Sequence, residues 1–174
     1  MCSSDLQFSR EPIVVNSFSK YFAMTGWRLG WLLVPQRLHR AVECLIGNFN
    51  ICAPAIAQHA AVAAFTEDSR RELDGHVETY RRNRDTLLRG LTELRIDRLA
   101  PADGAFYVYA DVGHLTDDSL AWCHRLLAET GVATAPGVDF DTARGNRFVR
   151  FSFAGTPAEM TGALERLAGW LPRG

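Results

Sequence analysis

The feature that most constrains this fold is a short apolar run followed at once by hydroxyl side chains, a lysine and a glycine-flanked arginine. Residues 13–15 (Ile-Val-Val) predict a buried β-strand. The segment 16–31 follows directly, and its first polar groups fall at the end of that strand. The polar side chains that mark this segment are Ser17, Ser19, Lys20 and Arg28. Their position at a strand end is suited to contact with a ligand.

The residue types in this segment indicate one kind of ligand. A lysine amine can form a Schiff base with an aldehyde when it is unprotonated often enough to attack. Hydroxyl groups and a guanidinium are suitable partners for a phosphate. Together they suggest a phosphorylated aldehyde that is held covalently, which describes pyridoxal phosphate. A simpler interpretation is a surface lysine and a solvated arginine, since most charged residues lie at the surface.

The spacing of the segment resembles a known family signature. Ser-Phe-Ser-Lys ending at Lys20, followed by Gly-Trp-Arg-Leu-Gly around Arg28, is similar to the lysine signature of the class I/II aminotransferases, which are fold-type I pyridoxal-phosphate enzymes. The resemblance implies that Lys20 carries the cofactor as a Schiff base. It also implies that Ser17, Ser19 and Arg28 surround the cofactor phosphate.

A second informative segment, residues 147–154, alternates as a β-strand does. One face would carry Phe148, Arg150 and Ser152, and the other Val149, Phe151 and Phe153. An arginine inside a strand must reach solvent or meet an anion, because an unpaired buried charge is costly. From the residues alone, an edge-strand arginine paired with a surface acid is an open alternative.

The pattern Val-Arg-x-Ser-Phe-Ala in this strand also resembles the family. In the family this is the position of the arginine that binds the substrate α-carboxylate, and a planar guanidinium fits a carboxylate with two hydrogen bonds. The resemblance implies this substrate-binding role for Arg150 and not for Arg147.

Helical spacing dominates the stretch after the lysine signature. An apolar strand over residues 29–34 ends at Pro35, which suits the first turn of a helix. A second helix, residues 53–65, is apolar nearly all round, so we expect it to be buried. Ser69 and Glu72 have capping-box spacing, which predicts the start of an amphipathic helix of about 25 residues, on the order of 37 Å long.

The remaining residues predict strands and helices in alternation. Turn residues over 97–104 precede a strand at 105–112, and Asp117 or Asp118 can cap the helix that follows. Gly131 can end that helix. A last helix begins where Thr156 and Glu159 have capping-box spacing, with a proline at the first helical position, and it stops before Pro172.

These patterns predict an α/β fold, and the resemblance makes it a PLP-dependent transferase-like fold. We expect residues 1–12 to be a leader that is non-native or disordered. Residues 13–96 would be the C-terminal part of the PLP-binding large domain, including the long interdomain helix, and 97–174 a small α+β domain. One departure is Phe140-Asp141, where family members often have Phe-Gly.

Composition excludes several other classes of protein. With a net charge of -1, the chain has no basic surface that would indicate nucleic acid or an anionic membrane as a partner. Its four cysteines and five histidines are scattered, so we expect no metal site and reduced thiols in a cytoplasm. No apolar run is long enough to predict a transmembrane helix.

The resemblance covers only the second half of a complete family enzyme. In that family the carboxylate that pairs with the cofactor ring nitrogen precedes the lysine by more than the nineteen residues found before Lys20. The resemblance implies an aminotransferase acting on an amino acid and a 2-oxo acid, a homodimer when complete, and a fragment that is inactive alone. The alternatives are another fold-type I enzyme (a lyase, decarboxylase or cyclising synthase) and a non-catalytic module that keeps the fold.

Overall fold

The computed structural model of the protein describes residues 8–172. Within them the chain forms two compact units, which divide between Gly75 and His76. Strands and helices occur in both units, so the α/β fold class is confirmed. The expected leader falls largely on residues 1–7, outside the described residues; from its last part, Glu11 forms an ion pair with Arg37 at 2.7 Å.

The first unit contains a two-stranded antiparallel sheet and two short helices. Strand β1 (Val14–Ser17) pairs with β2 (Gly30–Leu33), so that Ser17 lies opposite Gly30. One 3-10 turn, Gln36–Leu38, follows Pro35 and precedes helix α1 (His39–Phe49). Helix α2 is Ala55–Ala63. The loop between β1 and β2 contains the predicted lysine segment. The pairing of the two strands therefore holds both ends of this loop together.

Two predictions of burial in this unit are wrong. In the first strand Val14 is buried, but Ile13 is 54% exposed and Val15 is 69% exposed. Neighbouring strand residues point to opposite faces, and in the described chain only the face of Val14 is covered. Helix α2 is buried on one side and not all round. Its buried residues are Ala57 and Ala61, which a spacing of four places on the same side of the helix.

Helix α3 (Glu67–Glu93) has 27 residues, which corresponds to about 40 Å. Its predicted start at Ser69 is wrong, since the helix begins two residues earlier. The hydroxyl of Thr66 accepts a hydrogen bond from the backbone N–H of Ser69 at 3.4 Å, so Thr66 takes the capping role. Glu67 and Asp68 then lie in the first turn, where negative charge stabilises a helix.

The second unit is built on a three-stranded antiparallel sheet. Its strands are β3 (Tyr107–Asp111), β4 (Ala135–Pro136) and β5 (Phe148–Ser152), and the order is β3-β5-β4. Helix α4 (Ser119–Thr130) precedes β4, and helix α5 (Pro157–Trp170) follows β5. The core of this unit is apolar, and its fully buried side chains include Leu91, Ile96, Val108, Leu126, Val149 and Leu167.

The helix ends in this unit agree with the predictions from sequence. The carboxylate of Asp118 accepts the N–H of Ala121 at 3.0 Å and caps α4. Gly131 ends that helix with φ 73°, a conformation that favours glycine. At the start of α5, Thr156 and Glu159 form the expected reciprocal capping box.

Asn83 is a buried residue that the sequence did not reveal, because it lies within a run of charged residues, 81–85, and charged residues are mostly exposed. Its side chain is 1% exposed, and Nδ2 donates to the carbonyls of Phe153 at 3.1 Å and Gly155 at 2.7 Å. These two carbonyls belong to the first and third residues after β5. Asn83 therefore fixes the end of the central strand of the second unit.

Replacing Asn83 with alanine should lower the free energy of unfolding by about 1–3 kcal/mol, because it leaves carbonyl groups without their donor. Urea unfolding of the chain measures the change. Arg82→Ala is the matched control, since the side chain of Arg82 forms an exposed hydrogen bond to Thr79 and is next to Asn83 in the same helix. Equal unfolding midpoints for the two variants would contradict the anchoring role.

Candidate active site

Two hydroxyl groups meet where β1 ends. The Ser17 Oγ donates a hydrogen bond to the Ser19 Oγ at 2.9 Å, and the N–H of Ser19 donates to the Ser17 Oγ at 3.0 Å. The N–H of Ser17 is held by the Oδ1 of Asn16 at 2.8 Å. The side chains of both predicted serines are thus fixed at one place in the loop.

Thr25 connects this hydroxyl pair to the predicted arginine. The Thr25 Oγ1 donates to the carbonyl of Ser19 at 2.6 Å, and the Arg28 Nη1 donates to the carbonyl of Thr25 at 2.9 Å. Sequence reasoning gave Thr25 no role. The available signal was a threonine in a loop, whose hydroxyl commonly bonds to nearby backbone.

The backbone of the loop adopts conformations that are unusual for its residues. Arg28 has φ 53° and ψ 49°, the left-handed region, and Ala23 has φ 54°. A non-glycine residue in this region costs on the order of 1–2 kcal/mol, and such strain is often found at functional sites. At Gly30 a Cβ would lie 2.6 Å from the carbonyl oxygen of Asn16, so the close approach of β1 and β2 requires glycine.

Aromatic rings support the loop from one side. Phe18 is buried, and its ring centroid lies 4.8 Å from that of Phe22, 5.0 Å from Trp31 and 5.8 Å from Phe65. The carbonyl of Lys20 accepts the N–H of Ala23 at 3.0 Å, which places the lysine in a tight turn between Phe18 and Phe22 in the sequence. The packed rings restrict the movement of the backbone on both sides of Lys20.

Arg150 lies in β5, the central strand of the second unit, and not in an edge strand. Its guanidinium carbon is 4.4 Å from the ring centroid of Phe140 and 5.1 Å from that of Tyr107. These residues, with Tyr109 and Asp141, line a cavity of about 280 Å³. Among residues 8–172 no carboxylate forms an ion pair with Arg150, so the alternative of a surface pair is wrong.

The two faces of β5 differ as predicted. Val149, Phe151 and Phe153 are buried on the core side, and Arg150 lies on the other side. The two rings contact the guanidinium carbon of Arg150, whereas the N–H donors of a guanidinium are directed outward in its plane. The aromatic contacts therefore leave the edge of Arg150 available to an anion.

Arg147 is committed to a different partner. Its Nε and Nη2 lie 3.1 Å and 3.2 Å from the two carboxylate oxygens of Asp111. Burial by itself raises the pKa of the Asp111 carboxyl, but the N–H of Gly113 and the guanidinium of Arg147 hold that pKa below its ordinary value. Because its guanidinium is already paired with two oxygens, Arg147 is the poorer candidate for binding a substrate.

The predicted site residues fall into two groups. Ser17, Ser19, Lys20 and Arg28 belong to one loop of the first unit, and three of them are joined through Thr25. Arg150 belongs to the second unit. In the part of the chain that the structure describes, no cluster of three or more His, Cys, Asp or Glu side chains could hold a metal, and no helix could span a membrane.

A family model described as aminotransferase class I and II matches residues 5–167. The chain belongs to the class I and II aminotransferases. This confirms the resemblance seen in the lysine signature and in the strand of Arg150. Enzymes of this family generally depend on pyridoxal phosphate.

Curated relatives of this aminotransferase chain are longer than the chain itself. It is 63% identical over 166 residues to a valine–pyruvate aminotransferase of Mycobacterium tuberculosis, covering 95% of this chain and 43% of the relative. It is 40% identical over 163 residues to an aspartate/prephenate aminotransferase of Thermus thermophilus, covering 92% of this chain and 41% of the relative. The chain thus spans less than half the length of these relatives.

Solved structures give the same picture of the fold. A crystal structure of an aminotransferase from Mycobacterium tuberculosis matches with a TM-score of 0.95 and 63% identity, covering 96% of this chain and 43% of that one. A Thermus thermophilus aspartate aminotransferase with maleate matches with a TM-score of 0.80 and 39% identity, covering 90% and 40%. The predicted PLP-dependent transferase-like fold is confirmed.

Proposed function

We propose that this chain supplies the cofactor lysine and the substrate arginine of a pyridoxal-phosphate-dependent aminotransferase, which transfers an amino group between an amino acid and a 2-oxo acid. The observation that carries this proposal is the hydrogen-bonded loop that joins Ser17, Ser19 and Arg28 beside Lys20. Because the chain spans 43% of its relative from Mycobacterium tuberculosis, the activity is proposed for a protein that includes the remaining part. We expect the chain alone to be inactive.

The donors of the loop fit the phosphate of the cofactor. Two hydroxyl groups 2.9 Å apart and a guanidinium in the same loop are a donor set suited to a phosphate dianion. When bound, pyridoxal phosphate supplies an electron sink for the substrate α-carbon. Ser17, Ser19 and Arg28 would hold the phosphate group, and the amine of Lys20 would bind the cofactor covalently.

Lys20 has a second task in this proposal. Its neutral amine would accept the proton from the substrate α-carbon and deliver it to the acceptor carbon. Lys20 is the only lysine among the 174 residues, and the other 18 residues of the lysine and arginine total are arginines. An arginine cannot deprotonate in a protein, so no other residue of that group could act as the base.

Arg150 would bind the α-carboxylate of both substrates. Its guanidinium contacts two aromatic rings and can donate two parallel hydrogen bonds from its edge, and it has no competing ion pair among the described residues. The name of the relative that is 63% identical makes valine and pyruvate the first substrates to assay.

The proposal also includes the organisation and location of the whole protein. Residues 13–96 would belong to the large domain and 97–174 to the small one, in a homodimer like those of the resembled family. A cytoplasmic location is proposed because the described cysteines, Cys44, Cys52 and Cys123, are free thiols, as in a reducing compartment.

Borohydride trapping tests the cofactor site in the chain itself. The chain is mixed with pyridoxal phosphate and reduced, and digestion with mass spectrometry locates the label. Because Lys20 is the only lysine, the N-terminal amine is the sole competing primary amine. We expect Lys20 to be labelled at a cofactor concentration at least about tenfold below that needed at an ordinary surface lysine, because charge-assisted phosphate contacts contribute about 1.5–3 kcal/mol.

The matched control moves the amine to the surface. The variant with Lys20→Arg and Arg40→Lys keeps one lysine and the same net charge, and the side chain of Arg40 is 83% exposed. If this variant and the natural sequence are labelled at the same cofactor concentration, the loop has no phosphate site and the proposal fails.

Thr25 should strengthen cofactor binding by holding the phosphate donors in place. Replacing it with valine keeps its shape but removes the hydroxyl that bonds to Ser19, and a single hydrogen bond contributes about 0.5–1.5 kcal/mol. The cofactor concentration for half-maximal trapping should therefore rise about 3- to 10-fold. Thr25→Ser retains the hydroxyl and should restore the natural value; a valine variant that traps as well as wild type would rule out this linking role.

A further inference from the structure

Asp141 introduces a carboxylate into the cavity that contains Arg150. It lines the same cavity of about 280 Å³, together with the rings of Tyr107, Tyr109 and Phe140. The sequence at this point, Phe140-Asp141, is also where the chain departs from the Phe-Gly of the family pattern. The proposed function assigns no task to Asp141.

The carboxylate of Asp141 is held in a fixed position. Its Oδ1 accepts the N–H groups of Ala143 at 2.9 Å and Arg144 at 3.0 Å, and its Oδ2 accepts the Arg144 Nε at 3.2 Å. Its own backbone N–H donates to the carbonyl of Gly137, and its carbonyl accepts the N–H of Gly145, both at 2.9 Å or less. The loop therefore presents a negative charge to the cavity in one defined place.

Hydrogen bonds also keep this group ionised. The N–H of Arg144, and then that of Ala143, hold the pKa of the Asp141 carboxyl below its ordinary value. The carboxylate is thus negatively charged throughout the neutral pH range. Its partner Arg144 has a side chain that is 77% exposed and does not line the cavity, so solvent screens much of the compensating positive charge.

The charges that line the cavity are therefore one cation and one anion. Arg150 can satisfy a single carboxylate with the edge of its guanidinium. A ligand with a second carboxylate would bring that group into the small space that Asp141 shares, where like charges repel. The three aromatic rings of the lining favour an apolar group instead.

We propose that Asp141 is a specificity-determining residue that makes the Arg150 cavity prefer monocarboxylates to dicarboxylates. This inference rests on the proposed function, because it takes Arg150 as the group that binds the substrate carboxylate. It assigns the substrate class as amino acids and 2-oxo acids with uncharged side chains. The expected discrimination from Asp141 is about 3- to 10-fold, the size of a partly screened repulsion across several ångströms.

Nuclear magnetic resonance of the full chain, labelled with nitrogen-15 in arginine, tests the inference without the cofactor. Valerate and glutarate are the probes, since they have the same number of carbons and differ in one carboxylate. The Nε–H signal of Arg150, identified by its absence in Arg150→Lys, reports the dissociation constant of each probe. The measured quantity is the ratio of the glutarate constant to the valerate constant.

Two variants should move this ratio in opposite directions. Asp141→Asn keeps an oxygen acceptor for the N–H groups of Ala143 and Arg144 but removes the charge, so the ratio should fall about 3- to 10-fold. Arg144→Gln removes the exposed counter-charge and should raise the ratio. Added salt, to about 0.5 M, should reduce the ratio in the natural sequence and leave it unchanged in Asp141→Asn.

The outcomes separate this inference from the proposed function. If both probes shift the Arg150 signal and the ratio is the same in Asp141→Asn and the natural sequence, the role of Asp141 is refuted and the carboxylate site stands. A change of the ratio in the same direction for Asp141→Asn and Arg144→Gln would also refute it, since an altered loop and not charge would be the cause. If neither probe shifts the Arg150 signal in any variant, the carboxylate-binding role of Arg150 fails, and this inference fails with it.

Discussion

Replacing Lys20 with arginine should reduce transamination by about 10²- to 10⁴-fold, the usual contribution of a positioned general base. Arginine keeps the positive charge and a similar length, but its guanidinium neither binds an aldehyde covalently in this way nor accepts a proton at neutral pH. No other lysine of the chain can substitute for it, because the sequence contains only one. The loss should appear in the turnover number for both half-reactions.

The measurement requires the part of the enzyme that the chain does not span. A chimaera that joins the chain to the remainder of the Mycobacterium tuberculosis relative provides it, since the two are 63% identical over 166 residues. Single-turnover conversion of an amino acid to its 2-oxo acid isolates the proton-transfer step from product release. The Arg40→Lys variant, which adds an exposed lysine and keeps Lys20, should retain the parent rate.

A residual rate within about tenfold of the parent would contradict the role of Lys20. Trapping with borohydride then identifies the reason. Label at another amine would mean that the cofactor is bound elsewhere, and label at no residue would mean that the loop of Ser17, Ser19 and Arg28 holds no cofactor.

The sequence was most informative about strand faces and helix caps, where the position of a residue type has one physical explanation. The alternation from Phe148 to Phe153 separated a polar face from an apolar one, and the structure has Arg150 and the core residue Val149 on opposite sides. The caps at Asp118 and Thr156 were predictable because a side-chain oxygen near a helix start has a specific set of donors to satisfy.

The sequence was least informative about what covers an apolar residue. The run 13–15 and the helix α2 are apolar, which shows that they can be buried, but burial also needs a covering surface. In the described residues only one side of each is covered, as at Val14 and Ala61. Asn83 is the opposite case, since its carbonyl partners lie 70 and 72 residues away in the sequence.

Local conformation in the lysine loop was also beyond prediction. The residues expected to hold a phosphate follow from their types, but the left-handed backbone of Arg28 and the two hydrogen bonds of Thr25 depend on the strand pairing around them. A non-glycine residue enters this region only when its surroundings compensate for the cost. Such positions become visible only in coordinates.

Replacing Arg150 with leucine should raise KM for the amino acid and for the 2-oxo acid by about 10²-fold or more. In the role proposed for Arg150, the substitution removes a bidentate partner of the substrate carboxylate, a change that typically costs 2–5 kcal/mol. Arg150→Lys keeps the charge but not the planar pair of donors, so its KM should lie between those of the parent and the leucine variant. Steady-state kinetics of the same chimaera with valine and pyruvate provide both constants.

Arg147→Leu is the matched control, because it removes a guanidinium from the same region of the chain. The guanidinium of Arg147 is already paired with Asp111. We expect it to lower stability and to change KM by less than about threefold. A larger rise in KM for Arg147→Leu than for Arg150→Leu would reverse the assignment of the two arginines. Borohydride labelling of Lys20 should be the same in both variants, since neither arginine belongs to the loop that would hold the cofactor phosphate. A loss of labelling in Arg150→Leu would mean that the higher KM arises from a damaged cofactor site and not from the lost carboxylate contact.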